Sequence, residues 1–192
     1  MFRGAHPNAD IQTVGGFRAL ACVIGAVGVL AASASASTNE SGTREISSRA
    51  ALGRGIVSEI NALRTRHGLP RLTVSPDLAS AAETHSRSMA RKGFFAHESQ
   101  NGTPFGKRVA RYYRASGFRS WRAGENLLWA SPDIGAKRAV QMWLKSPGHR
   151  RIIFTAAWRE IGLSAVHTAS APREFDGLEV TIVTADFGAR VR

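Results

Sequence analysis

The chain has 192 residues, of which 26 are Lys or Arg and 14 are Asp or Glu, giving a formal charge of +12. This length predicts one domain with enough material for a full hydrophobic core. Cys22 is the only cysteine, which excludes an intramolecular disulfide, and the scattered arginines come without a nucleic-acid-binding motif, which argues against specific nucleic-acid recognition.

Residues 1–36 have the features of a signal peptide. Arg3 and Arg18 supply positive charge, residues 19–32 form an apolar run, and Ala34-Ser35-Ala36 offers the small residues that a signal peptidase recognises. We expect export and cleavage near Ala36. The alternative is an uncleaved membrane anchor, although the apolar run is short for a bilayer span.

Export would leave a strongly basic domain, because removal of the signal peptide lowers the formal charge only from +12 to +11. Such a charge favours contact with anionic surfaces, for example acidic lipids or wall polymers, and this binding would weaken steeply with salt. The alternative is that the arginine content is a compositional trait of an exported protein and has no electrostatic partner.

Two helices are predicted at the start of the domain, which we place at 49–192 after a flexible polar leader at 37–48. The first runs from residue 51 until Gly68, and the second runs from Ser75-Pro76 until Gly93. Their apolar faces comprise Leu52, Ile56, Val57, Ile60 and Leu63, then Leu78, Ala82, His85 and Met89. We interpret His85 as a packed, hydrogen-bonded core histidine.

A hydroxyl residue followed by proline marks three further predicted helix starts. Thr103-Pro104 begins a helix that ends at Gly117, Ser131-Pro132 begins a fourth helix, and Ser146-Pro147 begins a short helical turn. Residues predicted to face inward from the first of these are Phe105, Val109 and Tyr112.

Strands are predicted near the end of the chain, at 161–166 and 178–187, joined by a hairpin turn at 174–177. Short extended pieces near residues 72 and 127 could join the same sheet. The sequence therefore predicts an α+β domain in which helices cover the faces of a small, mainly antiparallel sheet.

Four side chains are candidates for one functional site: His97, Glu125, His149 and Glu160. Imidazole and carboxylate groups can bind a divalent metal together or exchange protons near neutral pH. All four lie at the ends of predicted elements, where loops converge on clefts. Their spacings of 28, 24 and 11 residues match no short metal motif, so spacing alone does not establish a shared site.

Each candidate also has a purely structural interpretation. His97 could be a surface or capping residue, His149 could pack its ring on Trp143, and Glu160 could pair with an arginine. Glu125 has apolar and aromatic neighbours in the sequence, where a carboxylate needs a partner or a solvent-filled cleft.

Five motifs, in order, resemble the bacterial branch of the CAP superfamily. This superfamily is also called SCP-like and contains cysteine-rich secretory proteins, antigen-five allergens and plant pathogenesis-related proteins. The resemblance covers residues 51–189. The motifs are Phe95-Ala96-His97, Gly124-Glu125-Asn126-Leu127, Trp143 with Ser146-Pro147-Gly148-His149-Arg150, Glu160-Ile161-Gly162, and Asp186-Phe187-Gly188.

The resemblance implies a three-layer α-β-α sandwich, a secreted or cell-envelope location, and a cleft where two histidines and two glutamates bind a divalent metal in some members. His97 and Glu125 match the first cleft histidine and glutamate of the family. His149 and Glu160 belong to the bacterial pattern instead. Eukaryotic members carry a glutamate soon after the helix tryptophan, where this chain has Lys145-Ser146.

Two functions follow from this resemblance. The first is a secreted, monomeric binding module whose cleft holds a divalent cation such as zinc, together with a small or lipid-like ligand or a cell-envelope component. The second is an extracellular hydrolase, dependent on a metal or a His/Glu pair, that acts on a peptide, ester or cell-wall substrate. No nucleophile motif accompanies the candidate residues, which favours the binding module.

Overall fold

A computed structural model of the chain describes residues 45–192. The predicted signal peptide and most of the predicted leader lie outside the described residues. In the part that is described, no helix is both long and apolar enough to cross a membrane.

A five-stranded sheet forms the middle layer of the domain. Its strands are β1 (Ser47–Ser48), β2 (Thr73–Val74), β3 (Ser120–Ala130), β4 (Glu160–Thr168) and β5 (Val180–Val191). The three long strands are antiparallel, with β5 between β4 and β3. The outer edge of β4 pairs with β1 and, in parallel, with β2. Both predicted strands are confirmed, and the extended pieces near residues 72 and 127 join the sheet.

Helices cover both faces of this sheet. On one face lie α1 (Ala50–Arg66), α4 (Ala136–Lys145) and α5 (Pro147–Phe154), and on the other lie α2 (Pro76–Lys92) and α3 (Phe105–Val109). Alternation along β5 separates the two cores, because Val183 and Phe187 pack with α1 whereas Val180 and Ile182 pack with α2. The predicted α-β-α sandwich is confirmed.

The predicted apolar faces of α1 and α2 are confirmed as well. Ile56 and Ile60 of α1 and Leu78 and Met89 of α2 are all fully buried. The α2 helix lies very close to the sheet, since a Cβ atom at Gly162 would collide with the backbone of Leu78. Glycine at this position of β4 therefore permits the close packing that brings α2 near the candidate site.

The predicted helix starts are confirmed only in part. Ser75 accepts a hydrogen bond from the backbone N–H of Leu78, as an N-cap should, and Pro147 is the first residue of α5. Ser146, by contrast, forms no side-chain cap.

Two of these expectations are wrong. The fourth helix begins at Ala136 and not at Ser131-Pro132, because the Asp133 carboxylate accepts hydrogen bonds from Ile134 N–H and from the Thr181 hydroxyl of β5. The helix after Thr103-Pro104 has only five residues, and Tyr113 rather than Tyr112 occupies the core. Thr103 bonds to the side chain of Asn101 instead of capping the helix.

Candidate functional site

His97 and Glu125 are in direct contact. The Nδ1 atom of His97 lies 2.8 Å from Oε1 of Glu125, and the other carboxylate oxygen lies 2.5 Å from Nη2 of Arg108. The side chain of Glu125 is 1% exposed, whereas that of His97 is 14% exposed. The buried glutamate is thus paired with a cation, and His97 is the more exposed member of the contact.

Three elements bring these groups together. Glu125 lies within β3 and points to the α2 and α3 face of the sheet, and Arg108 comes from α3. His97 lies in the loop after α2, where Nε2 of His85 donates to the carbonyl oxygen of Ala96 at 2.8 Å. The loop before His97 is therefore attached to a buried side chain of α2, which limits where the His97 ring can lie.

His85 is 1% exposed, and its hydrogen bond agrees with the interpretation of it as a packed core histidine. Its burial lowers the pKa of His85 to about 4, and the positive charge of Arg108 acts in the same direction against the opposing charge of Glu125. His85 is consequently neutral at physiological pH and acts as a fixed hydrogen-bond donor beneath the site.

Asp186 is a further carboxyl group in this cluster. It faces Glu125 across the antiparallel pair of β3 and β5, is fully buried, and has its Oδ2 atom 4.0 Å from Nη1 of Arg108. Burial raises the pKa of Asp186 well above its ordinary value, and the negative charge of Glu125 adds to this shift. Asp186 therefore holds its proton more tightly than an exposed aspartic acid does.

The ionised state of Glu125 follows from its partners. Burial would by itself raise the pKa of Glu125, but the hydrogen bond to His97 and the charge of Arg108 outweigh it and hold the pKa below its usual range. Because a carboxylate only accepts hydrogen bonds, Nδ1 of His97 is the donor. In the neutral imidazole, Nε2 of His97 is then a hydrogen-bond acceptor.

His149 lies in the first turn of α5, at the edge of the sheet where β3 is found. Its carbonyl oxygen accepts a hydrogen bond from the Asn126 side chain at 3.1 Å, which ties the start of α5 to β3. Burial lowers the pKa of His149 to about 4, and the charge of His97 contributes to the same shift. The two imidazoles thus interact electrostatically, but no hydrogen bond joins their rings within residues 45–192.

Glu160 has different partners. Its carboxylate accepts a short hydrogen bond from the Tyr113 hydroxyl and lies 3.4 Å from Nη1 of Arg190, which in turn binds Asp77. Burial raises the pKa of Tyr113, and its hydrogen bond to Glu160 raises it further, so the phenol stays protonated as a donor. The structure therefore gives Glu160 the local ion-pair environment that was its alternative interpretation.

These contacts do not fit a shared divalent metal site. Both carboxylate oxygens of Glu125 are engaged, and the guanidinium of Arg108 would repel a second cation placed beside them. Across residues 45–192, no group of three or more His, Cys, Asp or Glu side chains is placed to hold a metal ion. A common cleft formed by His97, Glu125, His149 and Glu160 stays a prediction.

Arg108 and Asp186 are site residues that sequence reasoning missed. For Asp186 a signal existed, because an acid in a long apolar strand pattern is unusual and it lies within the recognised Asp186-Phe187-Gly188 motif. For Arg108 no such signal existed, since it is one of many arginines and only its burial by α3 distinguishes it.

The chain belongs to the CAP family. The profile of the Cysteine-rich secretory protein family matches residues 57–187, a range that begins within α1 and ends within β5. Fold and family thus agree on a CAP-type sandwich with His97 and Glu125 at one edge of its sheet.

Two proteins of Bacillus subtilis (strain 168) are similar in sequence. The uncharacterized protein YkwD is 30% identical over 140 residues, which is 72% of this chain and 52% of YkwD. The uncharacterized membrane protein YlbC is 30% identical over 108 residues, which is 56% of this chain and 30% of YlbC. The chain thus matches about half of the first relative and under a third of the second.

Solved structures show the same fold. An extracellular protein of Bacillus anthracis that contains an SCP domain has a TM-score of 0.56 at 27% identity, covering 73% of this chain and 41% of that one. An outer surface protein of Borrelia burgdorferi has a TM-score of 0.61 at 23% identity, covering 77% of this chain and 99% of that one.

Proposed function

We propose that this protein is an exported CAP domain that binds a small polar ligand at His97. The observation that carries this proposal is the contact chain Arg108–Glu125–His97, in which a buried ion pair fixes one nitrogen of a partly exposed imidazole. A rigid support of this kind keeps the ring in one orientation before a ligand arrives.

The chemistry of the ligand follows from the free nitrogen. Within the described part of the chain, Nε2 of His97 has no hydrogen-bond partner, so it can bond to a hydroxyl or amide group of the ligand. The nearby groups add little net negative charge, because Arg108 balances Glu125, burial favours the protonated form of Asp186, and His149 is neutral. A neutral or weakly anionic ligand therefore fits better than a free cation.

An extracellular location supports this proposal. The B. anthracis structure is described as extracellular and the B. burgdorferi one as an outer surface protein. The predicted signal peptide at residues 1–36 points in the same direction. Such a protein would meet hydroxyl- and amide-bearing components of the cell envelope.

A second candidate function is hydrolysis. The carboxylate–imidazole contact between Glu125 and His97 is the arrangement that orients a histidine as a general base, and a base of this kind can activate water. No serine or cysteine with the setting of a nucleophile lies beside His97 in the described residues, so water would have to serve as the nucleophile. This favours the binding function.

Binding can be tested by ligand-observed NMR with N-acetylglucosamine and a panel of small neutral alcohols and amides. We expect signals that His97→Ala and Glu125→Gln both remove. His167→Ala is the matched control, because His167 pairs with Glu179 at 2.9 Å on another part of the surface. Signals that survive in His97→Ala would exclude this site.

The same variants distinguish the hydrolase. The assay measures release of product from p-nitrophenyl butyrate, casein or purified peptidoglycan. Activity that is lost in His97→Ala and retained in His167→Ala would establish hydrolysis and replace the binding proposal. We expect no such turnover.

A further inference from the structure

A second surface feature lies where α4 ends and α5 begins. It is an open groove of about 390 Å³, which we call the basic groove. Pro147, Arg150, Arg151 and Phe154 recur at three- and four-residue intervals and so lie on one face of α5, and the last turn of α4 supplies the rest. The lining residues are Leu144, Lys145, Pro147, Arg150, Arg151 and Phe154.

The apolar part of the basic groove is held in place from below. The ring of Phe154 packs against His67 with centroids 4.5 Å apart, and the Arg150 guanidinium lies 5.9 Å from the same ring. Beneath α5, Nη1 of Arg64 donates to the carbonyl oxygens of Ile153 and Thr155. The groove is therefore preformed and does not depend on a ligand for its shape.

The rim of the basic groove is strongly cationic. Lys145, Arg150 and Arg151 are all exposed, and none of them forms an ion pair with an acid in residues 45–192. Other exposed arginines of the described residues, such as Arg66 and Arg111, also lack an ion pair, so the rim is distinguished by three such cations beside one groove with apolar residues. Three neighbouring cations without an ion-pair partner repel one another. An anionic partner would reduce this repulsion.

We infer that the basic groove docks the protein onto an anionic phospholipid membrane. Arginine side chains match phosphate oxygens in pairs, and the apolar residues Leu144 and Phe154 suit the boundary between headgroups and acyl chains. A small free ligand fits less well, because such ligands need most of their surface enclosed and this groove is open. Met142 adds to the apolar surface, since it is 37% exposed one helical turn before Lys145.

Each basic residue near an anionic leaflet strengthens partition about fivefold, so loss of three should weaken binding about 100-fold. Binding should also fall steeply between 50 and 300 mM salt, on the order of the counterion release expected for three charges.

Vesicle co-sedimentation of the full chain tests this inference. Wild type and the variant K145Q/R150Q/R151Q are compared on vesicles of phosphatidylglycerol and phosphatidylcholine and on phosphatidylcholine alone. The matched control is K107Q/R111Q/R114Q, which removes the same charge from exposed positions around and after α3. Binding to neutral vesicles measures any contribution from the apolar segment at residues 19–32, so the difference between vesicles reports the charge effect.

We expect the groove variant to lose about 100-fold on anionic vesicles and the control variant to lose under fivefold. Equal losses in the two variants would overturn the inference, because net charge alone would then explain binding. Vesicle binding that is unchanged while binding to polyphosphate in free solution is lost would also overturn it. If the triple variant does not fold, R151Q alone should still weaken vesicle binding about fivefold.

Discussion

Glu125 and Asp186 face each other across β3 and β5, and their surroundings shift the pKa values of their carboxyl groups in opposite directions. Glu125 bonds to Arg108 and His97, whereas neither oxygen of Asp186 accepts a hydrogen bond from a described residue. Two buried carboxylates so close together would repel each other, so one of the pair keeps its proton. This asymmetry makes Glu125 the charged partner that orients His97, whereas the surroundings of Asp186 favour its protonated form.

Asp186→Asn should leave the protein as stable as wild type at pH 4 and more stable at pH 8. The pKa of Asp186 is higher in the folded state than in the unfolded state, where it is about 4. Below about pH 4 the group is protonated in both states and its titration does not change stability, but as the pH rises towards the folded-state pKa it lowers the free energy of unfolding. Asparagine avoids that cost while retaining a donor. Urea unfolding of both proteins at several pH values measures the difference in the free energy of unfolding. If the variant does not become more stable than wild type as the pH rises from 4 to 8, the raised pKa of Asp186 is contradicted.

Glu125→Gln should have the opposite pH dependence. We expect a loss of about 3 kcal/mol at pH 7, because Arg108 is then a buried cation without its partner. The pKa of Glu125 is lower in the folded state than in the unfolded state, where it is about 4.3. The stabilisation by the Glu125 carboxylate is therefore complete above about pH 4.3 and is lost as the pH falls through the folded-state pKa. The difference in the free energy of unfolding between variant and wild type should accordingly become smaller in acid.

Glu83→Gln is the control for this variant. Glu83 also pairs with an arginine, Arg87, but its side chain is 51% exposed. Its loss should change the free energy of unfolding by under about 0.5 kcal/mol. Similar effects of the two substitutions would mean that the Glu125 pair is not the buried anchor of the site.

His85 should make the domain sensitive to mild acid. The pKa of His85 is about 4 in the folded state and about 6.5 in the unfolded state. The domain therefore has its full stability above about pH 6.5 and loses part of it as the pH drops towards 4. The loss for this fully buried group is on the order of 3 kcal/mol. His85→Gln keeps a side-chain donor for Ala96 and should flatten the profile between these pH values. An NMR titration in which the His85 ring protonates near pH 6.5 would contradict this prediction.

The fold could be predicted from the sequence because its signals are local. Apolar residues every three or four positions specified α1 and α2, and β-branched runs specified β4 and β5. The third long strand was foreseen only as an extended piece, since Glu125 and Asn126 interrupt its apolar pattern. They are buried because Arg108 and the loop at His149 supply partners that come from distant parts of the chain.

The site was predictable to a smaller extent for the same reason. The places of His97 and Glu125 at element ends and within the family motifs indicate a functional role, and the structure puts them in contact. Nothing in the local sequence distinguishes Arg108 from its exposed neighbours Lys107 and Arg111. Its burial depends on where α3 packs, and that is decided by tertiary contacts with Leu78 and Tyr113.

Arg64 should be essential for the stability of the domain. It is fully buried in α1, and its guanidinium donates to the carbonyl oxygens of Pro70, Ile153 and Thr155 at 2.9, 2.7 and 3.0 Å. Its pKa is lowered by burial, yet it stays charged because carbonyl dipoles surround it. This one side chain joins α1 to α5.

Arg64→Leu should cost about 3 kcal/mol or more, since three carbonyl groups lose a charged donor and cannot regain water. Arg64→Lys should restore little, because a single ammonium group lacks the forked donors that reach separate carbonyls. Arg66→Leu, two residues later on the exposed face of α1, is the control and should change stability by under about 0.5 kcal/mol.

Hydrogen exchange under native conditions gives a second measurement on Arg64→Leu. The amides of α5 should exchange faster than in wild type, while the exchange rates of the β5 amides should change only as much as the global stability does. Uniform acceleration in both elements would mean that Arg64 supports the whole core and does not specifically hold α5 in place.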